Sequence, residues 1–243
     1  MAWHPEIIRY LSGTKSYNTG SIQSPQMKAL TLISKLLPLV LLLSLVSCSQ
    51  KPAAFDYGKV ENGVYLNSYF DFSMQMPEGW AVQSRDQMEN IANTGKKMLS
   101  GSDTNLEAVL SAAEVNVANL LAVFEKEMGS PVEYNPNIMI VAENLQHAPG
   151  IKSGFDYLYQ SRKLLMQGQF QYDYLSENFE LVEFDGVEFY RMDARVNFTD
   201  LEIKQHYYAT VRNGFSFNVI ISYVSDAQKT VLFESLGSMR FGK

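Results

Sequence analysis

Phe184-Asp185-Gly186-Val187 and Arg212-Asn213-Gly214-Phe215 decide the fold of this chain. Asp-Gly and Asn-Gly between alternating apolar flanks are two-residue hairpin turns, because both central positions of such a turn need positive φ. The first joins an extended run over residues 179–184 to Val187–Phe198, and the second joins residues 203–212 to Phe215–Tyr223. Strands that follow one another through tight turns pair antiparallel.

Outward from these hairpins the chain mixes strands with helices. Phe70-Asp71-Phe72-Ser73-Met74-Gln75-Met76 alternates apolar and polar residues, the pattern of a half-buried strand, and Pro77-Glu78-Gly79 turns the chain into Trp80. Residues 64–66 and 172–175 read as short strands, 115–124 and 137–142 as buried ones, and 239–241 as a closing strand. Ser84 with Gln87, Thr104 with Glu107, Ser153 with Asp156, and Ser225 with Gln228 are capping signatures that start four helices. The first helix carries Met88, Ile91, Ala92, Met98 and Leu99, with Asn93-Thr94-Gly95 weakening its middle. The third presents Phe155, Leu158, Tyr159, Leu165 and Met166 as its apolar face, which turns Tyr157 outward. The expectation is an α+β domain, an antiparallel β-sheet flanked by helices, over residues 63–243.

The N-terminal region belongs to export rather than to the fold. Leu45-Val46-Ser47-Cys48 reads as a lipobox, with Cys48 the only cysteine of the chain and the acceptor of a diacylglyceryl group. Lys28 and Lys35 precede an apolar run of roughly 11 residues, about half of what a membrane-spanning helix needs. Residues 27–47 are therefore a cleaved lipoprotein signal, and the polar residues 1–26 an extension upstream of a natural start at Met27. Residues 48–62, with Lys51-Pro52-Ala53-Ala54, read as a lipidated tether. Ser49 rather than Asp follows the cysteine, which places the protein in a bacterial cell envelope, at the outer membrane if the cell has two.

Arg9, Lys15, Lys28, Lys35 and Glu6 lie upstream of Cys48, so the mature chain keeps 16 basic and 25 acidic residues, a net charge of −9. That balance argues against nucleic acid as a partner. With Cys48 acylated no thiol remains for disulfides or thiolate ligation of a metal.

No set of residues names a reaction. His147 and His206 have no second His or Glu at ligand spacing, so no metal and no cofactor is expected. Gly95-Lys96-Lys97 fails as a phosphate loop because Asn90 stands where the earlier glycine belongs and Lys97 replaces Ser or Thr. Glu180, Glu183 and Glu188 lie on the solvated side of a hairpin; paired carboxylates between Glu177 and Asp193 leave an envelope hydrolase as an alternative. Tyr157, Tyr172 and Tyr174 form a candidate partner surface, since exposed tyrosines are enriched at interfaces.

Two end motifs carry a family resemblance. Asn67-x-x-Phe70-x-Phe72-Ser73-Met74-x-Met76-Pro77-x-Gly79-Trp80, together with the terminal Ser238-Met239-Arg240-Phe241, resembles the Mog1/PsbP-like superfamily, including DcrB-like bacterial lipoproteins. The resemblance implies an α/β/α sandwich and a non-enzymatic binding or assembly role, the partner being another envelope protein. Between Glu89 and Asn116 the chain is longer and more helical than the minimal fold. A small-ligand-binding lipoprotein is the remaining reading.

Overall fold

The computed structural model describes residues 55–242. Cys48, its lipobox and the upstream extension lie outside the described residues. The expected tether ends earlier than its composition implies, because the chain joins the domain from Phe55. The Phe55 ring lies 4.9 Å from Tyr69 and 5.3 Å from Phe215, an aromatic anchor that a solvated linker lacks. Asp56 accepts bonds from the Ser68 and Gly58 backbone N–H groups and the Ser68 hydroxyl, which hold its carboxyl below the usual range.

Strands β1 (Lys59–Glu61), β2 (Val64–Asn67) and β3 (Phe72–Gln75), with the terminal β12 (Arg240–Phe241), form a four-stranded sheet in the order β1-β2-β3-β12. The larger sheet has β4 (Ala81–Val82) at one edge, then β5 (Val117–Phe124), β6 (Asn137–Asn144), β11 (Phe215–Tyr223), β10 (Leu201–Arg212) and β9 (Val187–Phe198). Two short strands, β7 (Tyr174–Leu175) and β8 (Glu180–Phe184), both pair with the outer side of β9. All these pairings are antiparallel. The two diagnostic turns close as expected: Phe184 faces Val187 across Asp185 (φ 50°) and Gly186 (φ 81°), and Arg212 faces Phe215 across Asn213 (φ 53°) and Gly214 (φ 79°).

Alternation sends each strand's side chains to two faces of the large sheet. One face is sealed. Ile138 and Ile140 of β6 and Phe217, Val219 and Ile221 of β11, all with no exposed surface, pack with Phe70, Phe72 and Met74. Leu232 and Leu236 of α4 (Asp226–Gly237) complete this core. The Phe217 ring sits 5.0 Å from both Phe70 and Phe72. The sandwich is thus α+β as expected, with one outer layer shared by α4 and the small sheet.

The other face carries α1 (Arg85–Ser100), α2 (Thr104–Glu114) and α3 (Gly154–Gln167). Ser84, Ser153 and Ser225 make the expected reciprocal capping boxes with Gln87, Asp156 and Gln228. At α2 the cap is Asp103 rather than Thr104: its carboxylate accepts from the Asn105 and Leu106 N–H groups, and its charge suits a helix N-terminus.

The face of α3 differs from the expected one by a rotation. Gly154, Tyr157, Leu158, Ser161, Leu164 and Leu165 are buried, whereas Phe155, Tyr159 and Met166 are exposed. Close approach to the sheet selects the stripe with small residues. A Cβ on Gly154 would lie 1.9 Å from the Ala209 carbonyl oxygen, so only glycine lets the helix start sit this close to β10.

Candidate functional site

A cavity of about 340 Å³ lies between α1 and the large sheet, within the size range of small-molecule sites. It follows from how α1 is held. Its N-terminal end is tied to the β4–β5 edge, where Gln83 N–H donates to Ala122 O at 2.9 Å. Its C-terminal end is tied beside the end of α3, where Gln169 N–H donates to Leu99 O at 2.7 Å and the Leu99 side chain lies against Gly168. Between those ties Ile91, Ala92 and Gly95 of α1 line the same space as Met139 and Val141 of β6 and Asn218 and Ile220 of β11. Leu99 is the only fully buried apolar residue of α1, and Ile91 and Ala92, half-buried, line the cavity.

The sheet supplies the floor in cross-strand rows. Met139 on β6 pairs with Ile220 on β11, which pairs with Tyr207 on β10. All three are only half-buried, although they occupy central strands. The next row runs Asn119, Val141, Asn218, and a third joins Asn137, Ser222 and Gln205. The Asn218 amide nitrogen donates to Val141 O (3.3 Å) and Ser216 Oγ (3.0 Å). Gln205 Oε1 accepts from the Tyr207 hydroxyl at 2.8 Å. Asn119 is half-buried and has no side-chain partner among the described residues.

Ile91, Ala92 and Gly95 of α1 form the roof, Leu110 of α2 one wall, and Leu158 and Leu165 of α3 the other. Gly95 is exposed and lines the rim; a Cβ placed there would meet nothing within 4 Å. Only two lining side chains are ionised, and they pair: Lys96 Nζ lies 2.7 Å from Glu114 Oε2.

Tyr157, expected at the surface, is corrected to a buried position with 5 % exposure. It lies on the stripe that α3 turns toward the sheet, and its hydroxyl donates to the buried Glu143 at 3.1 Å. Burial, reinforced by the Glu143 charge, raises its pKa well above the ordinary tyrosine value. Tyr172 is half-buried with its hydroxyl 3.3 Å from that of Tyr207, and Tyr174 is exposed beneath Arg195. The three tyrosines therefore do not share one surface.

His147 is exposed. His206 is engaged in the opposite, sealed layer: Nδ1 lies 2.5 Å from Asp193 Oδ1, Nε2 lies 2.8 Å from the Tyr223 hydroxyl, and the ring meets Phe233 of α4. Burial alone would raise the Asp193 carboxyl, but the His206 bond and the Arg191 charge outweigh it and hold the carboxyl below its usual value. Glu180, Glu183 and Glu188 are exposed, and none of the carboxylates between Glu177 and Asp193 lines the cavity. Among the described residues no cluster of His, Asp or Glu is arranged to hold a metal ion.

Sequence reasoning passed over the cavity, yet β11 carried a signal. Its Phe217, Val219 and Ile221 alternate with Ser216, Asn218 and Ser222. A central strand covered tightly on both faces reads as continuously apolar. The polar phase marks a face not packed by apolar side chains alone: Ser216 and Ser222 are bonded to Asn218 and Tyr134, and Asn218 lines the cavity.

No protein-family model matches the sequence, and no curated protein does. Similar solved structures include the PsbP protein of Synechocystis sp. PCC 6803, at 15 % identity over 76 % of this chain and 96 % of that one, TM-score 0.45. Another is a Bacteroides thetaiotaomicron protein at 10 % identity, covering 76 % of this chain and 50 % of that one, TM-score 0.40. This chain thus spans about half the length of the Bacteroides protein. LpqN of Mycobacterium tuberculosis, described as involved in cell envelope biogenesis, aligns at 9 % identity over 70 % of this chain and 82 % of that one, TM-score 0.34.

Proposed function

We propose that this chain is a lipid-anchored, non-enzymatic binding module of a bacterial cell envelope, and that the cavity beneath α1 is its binding element. The observation that carries the reading is the half-buried pair Met139 and Ile220. Apolar side chains at the centre of a sheet are normally sealed, and here they face about 340 Å³ of space. The lipobox at Cys48 supplies the anchor, and no helix among the described residues is long and apolar enough to cross a membrane. The envelope-biogenesis description of LpqN agrees with such a location. A hydrolase reading has less support, because the acids it needs lie away from the cavity.

The test is saturable binding of a neutral, polarity-sensitive naphthalene fluorophore such as Prodan. The wild-type protein should bind it with a blue-shifted emission, and Gly95→Leu, which puts a side chain into the rim, should abolish the signal without unfolding the domain. Equal binding by both proteins would remove the cavity from the account. The anchor is tested separately: Cys48→Ser should leave an unprocessed precursor, and a variant that still matures and fractionates with membranes would contradict the lipobox.

A further inference from the structure

We infer that the cavity selects an uncharged, largely apolar small molecule carrying a carboxamide or hydroxyl group, and that the Lys96–Glu114 pair excludes carboxylates. The inference rests on the reading of the cavity as the binding element. Size sets the first bound. The volume of about 340 Å³ is more than twice that of an engineered cavity of ~150 Å³ that holds benzene, so a two-ring or medium-chain body fits.

Charge sets the second bound. The apolar lining of Ile91, Leu110, Met139, Leu165 and Ile220 is interrupted by the carboxamides of Asn119, Asn137 and Gln205. A carboxamide carries donors and an acceptor without net charge, the complement of an amide or alcohol, and part of that capacity is already used where Gln205 Oε1 accepts from Tyr207 and Asn137 Nδ2 donates to Asn135 O. Asn119 is half-buried and has no side-chain partner among the described residues, and the Oδ1 of Asn218, a fourth carboxamide on the lining, also has none. The only ionised groups on the lining neutralise each other at 2.7 Å, and Lys96 is the more enclosed of the two, with 18 % of its side chain exposed against 44 % for Glu114. A carboxylate entering this space must leave its hydration without a free cation to receive it, or must compete with Glu114 for Lys96. An unpaired charge in apolar surroundings is strongly disfavoured. A neutral amide meets no such barrier.

Lys96 and Glu114 are therefore specificity-determining residues, and changing one of them should change which ligand is preferred. The experiment compares 1-naphthamide with 1-naphthoate, matched in shape and different in charge, by titration calorimetry at neutral pH. The wild-type protein should bind the amide about 30-fold more tightly or better, equivalent to ~2 kcal/mol. Glu114→Gln leaves Lys96 without its partner, so naphthoate should gain about tenfold or more while naphthamide changes little. Lys96→Met should give naphthoate no gain. Gly95→Leu should lose both probes, and thermal unfolding of each variant confirms that it is folded. Equal affinity for the two probes in the wild type, or an unchanged preference in Glu114→Gln, would overturn the selectivity while leaving the cavity as a binding site. Failure of the wild type to bind either probe would overturn both readings.

Discussion

The two faces of the large sheet are built from the same strands and end differently. On the sealed face Ile138 and Ile140 of β6 and Phe217, Val219 and Ile221 of β11 are buried in one core with Phe72 and Met74 of the small sheet and Leu232 and Leu236 of α4, and the Phe217 ring lies 5.0 Å from those of Phe70 and Phe72. On the other face α3 lies tight on β10, while α1 is tied at its two ends and shares with β6 and β11 the lining of a cavity. The sealed face supplies stability, and the open face leaves apolar surface available for a ligand. The two helices around that space, α1 and α2, follow one another in the chain, Arg85–Ser100 and Thr104–Glu114.

Ile220 and Ile221 make the sharpest comparison, because they are chain neighbours on β11 that point to opposite faces. Ile221→Ala leaves a void in a sealed core and should lower unfolding stability by about 2–5 kcal/mol. Ile220→Ala enlarges a space that is already open and should cost only about 1 kcal/mol. Equal losses in urea denaturation would mean that the two faces are equally packed. Two glycines give the next contrast. Gly154→Ala forces a methyl group into the Ala209 carbonyl and should destabilise by about 1–3 kcal/mol. Gly95→Ala meets no neighbour and should stabilise by about 0.5–1 kcal/mol, from helix propensity alone.

The pH profile separates the faces through Asp193. Its pKa is lower in the folded protein, so its contribution is present above the unfolded value of about 3.9 and is lost as pH falls through the folded value. Asp193→Asn should therefore flatten the acid side of a stability-against-pH curve, with little change in probe binding in the cavity. The smallest effect is expected at the cavity rim. Glu114→Gln breaks a partly solvated ion pair and should change stability by less than about 1 kcal/mol, measured by denaturant midpoint.

Local chemistry made much of the fold legible. Asp185-Gly186 and Asn213-Gly214 specify their turns through φ, and three serine capping boxes specify helix starts, because each signal is satisfied by residues a few positions away. The phase of α3 was not legible. Two apolar stripes compete along that helix, and Gly154 and Ser161 win only because β10 comes close, a contact distant in sequence. Tyr157 was misplaced for the same reason. The cavity is further still from local reading: Gly95 looked like a weak point in a helix, and its position at a rim depends on where both ends of α1 are tied. Ser216, Asn218 and Ser222, polar on a central strand, were the available trace.

The most direct test of the central claim is methyl NMR of methionine-labelled protein during titration with 1-naphthamide. Met139 lies on the cavity floor, whereas Met74 and Met239 are buried in the sealed core with 0 % and 1 % exposure. The Met139 resonance should shift saturably while those of Met74 and Met239 stay in place. A Met139 signal unmoved at saturating probe, or equal shifts from the sealed core, would contradict the assignment of binding to the open face.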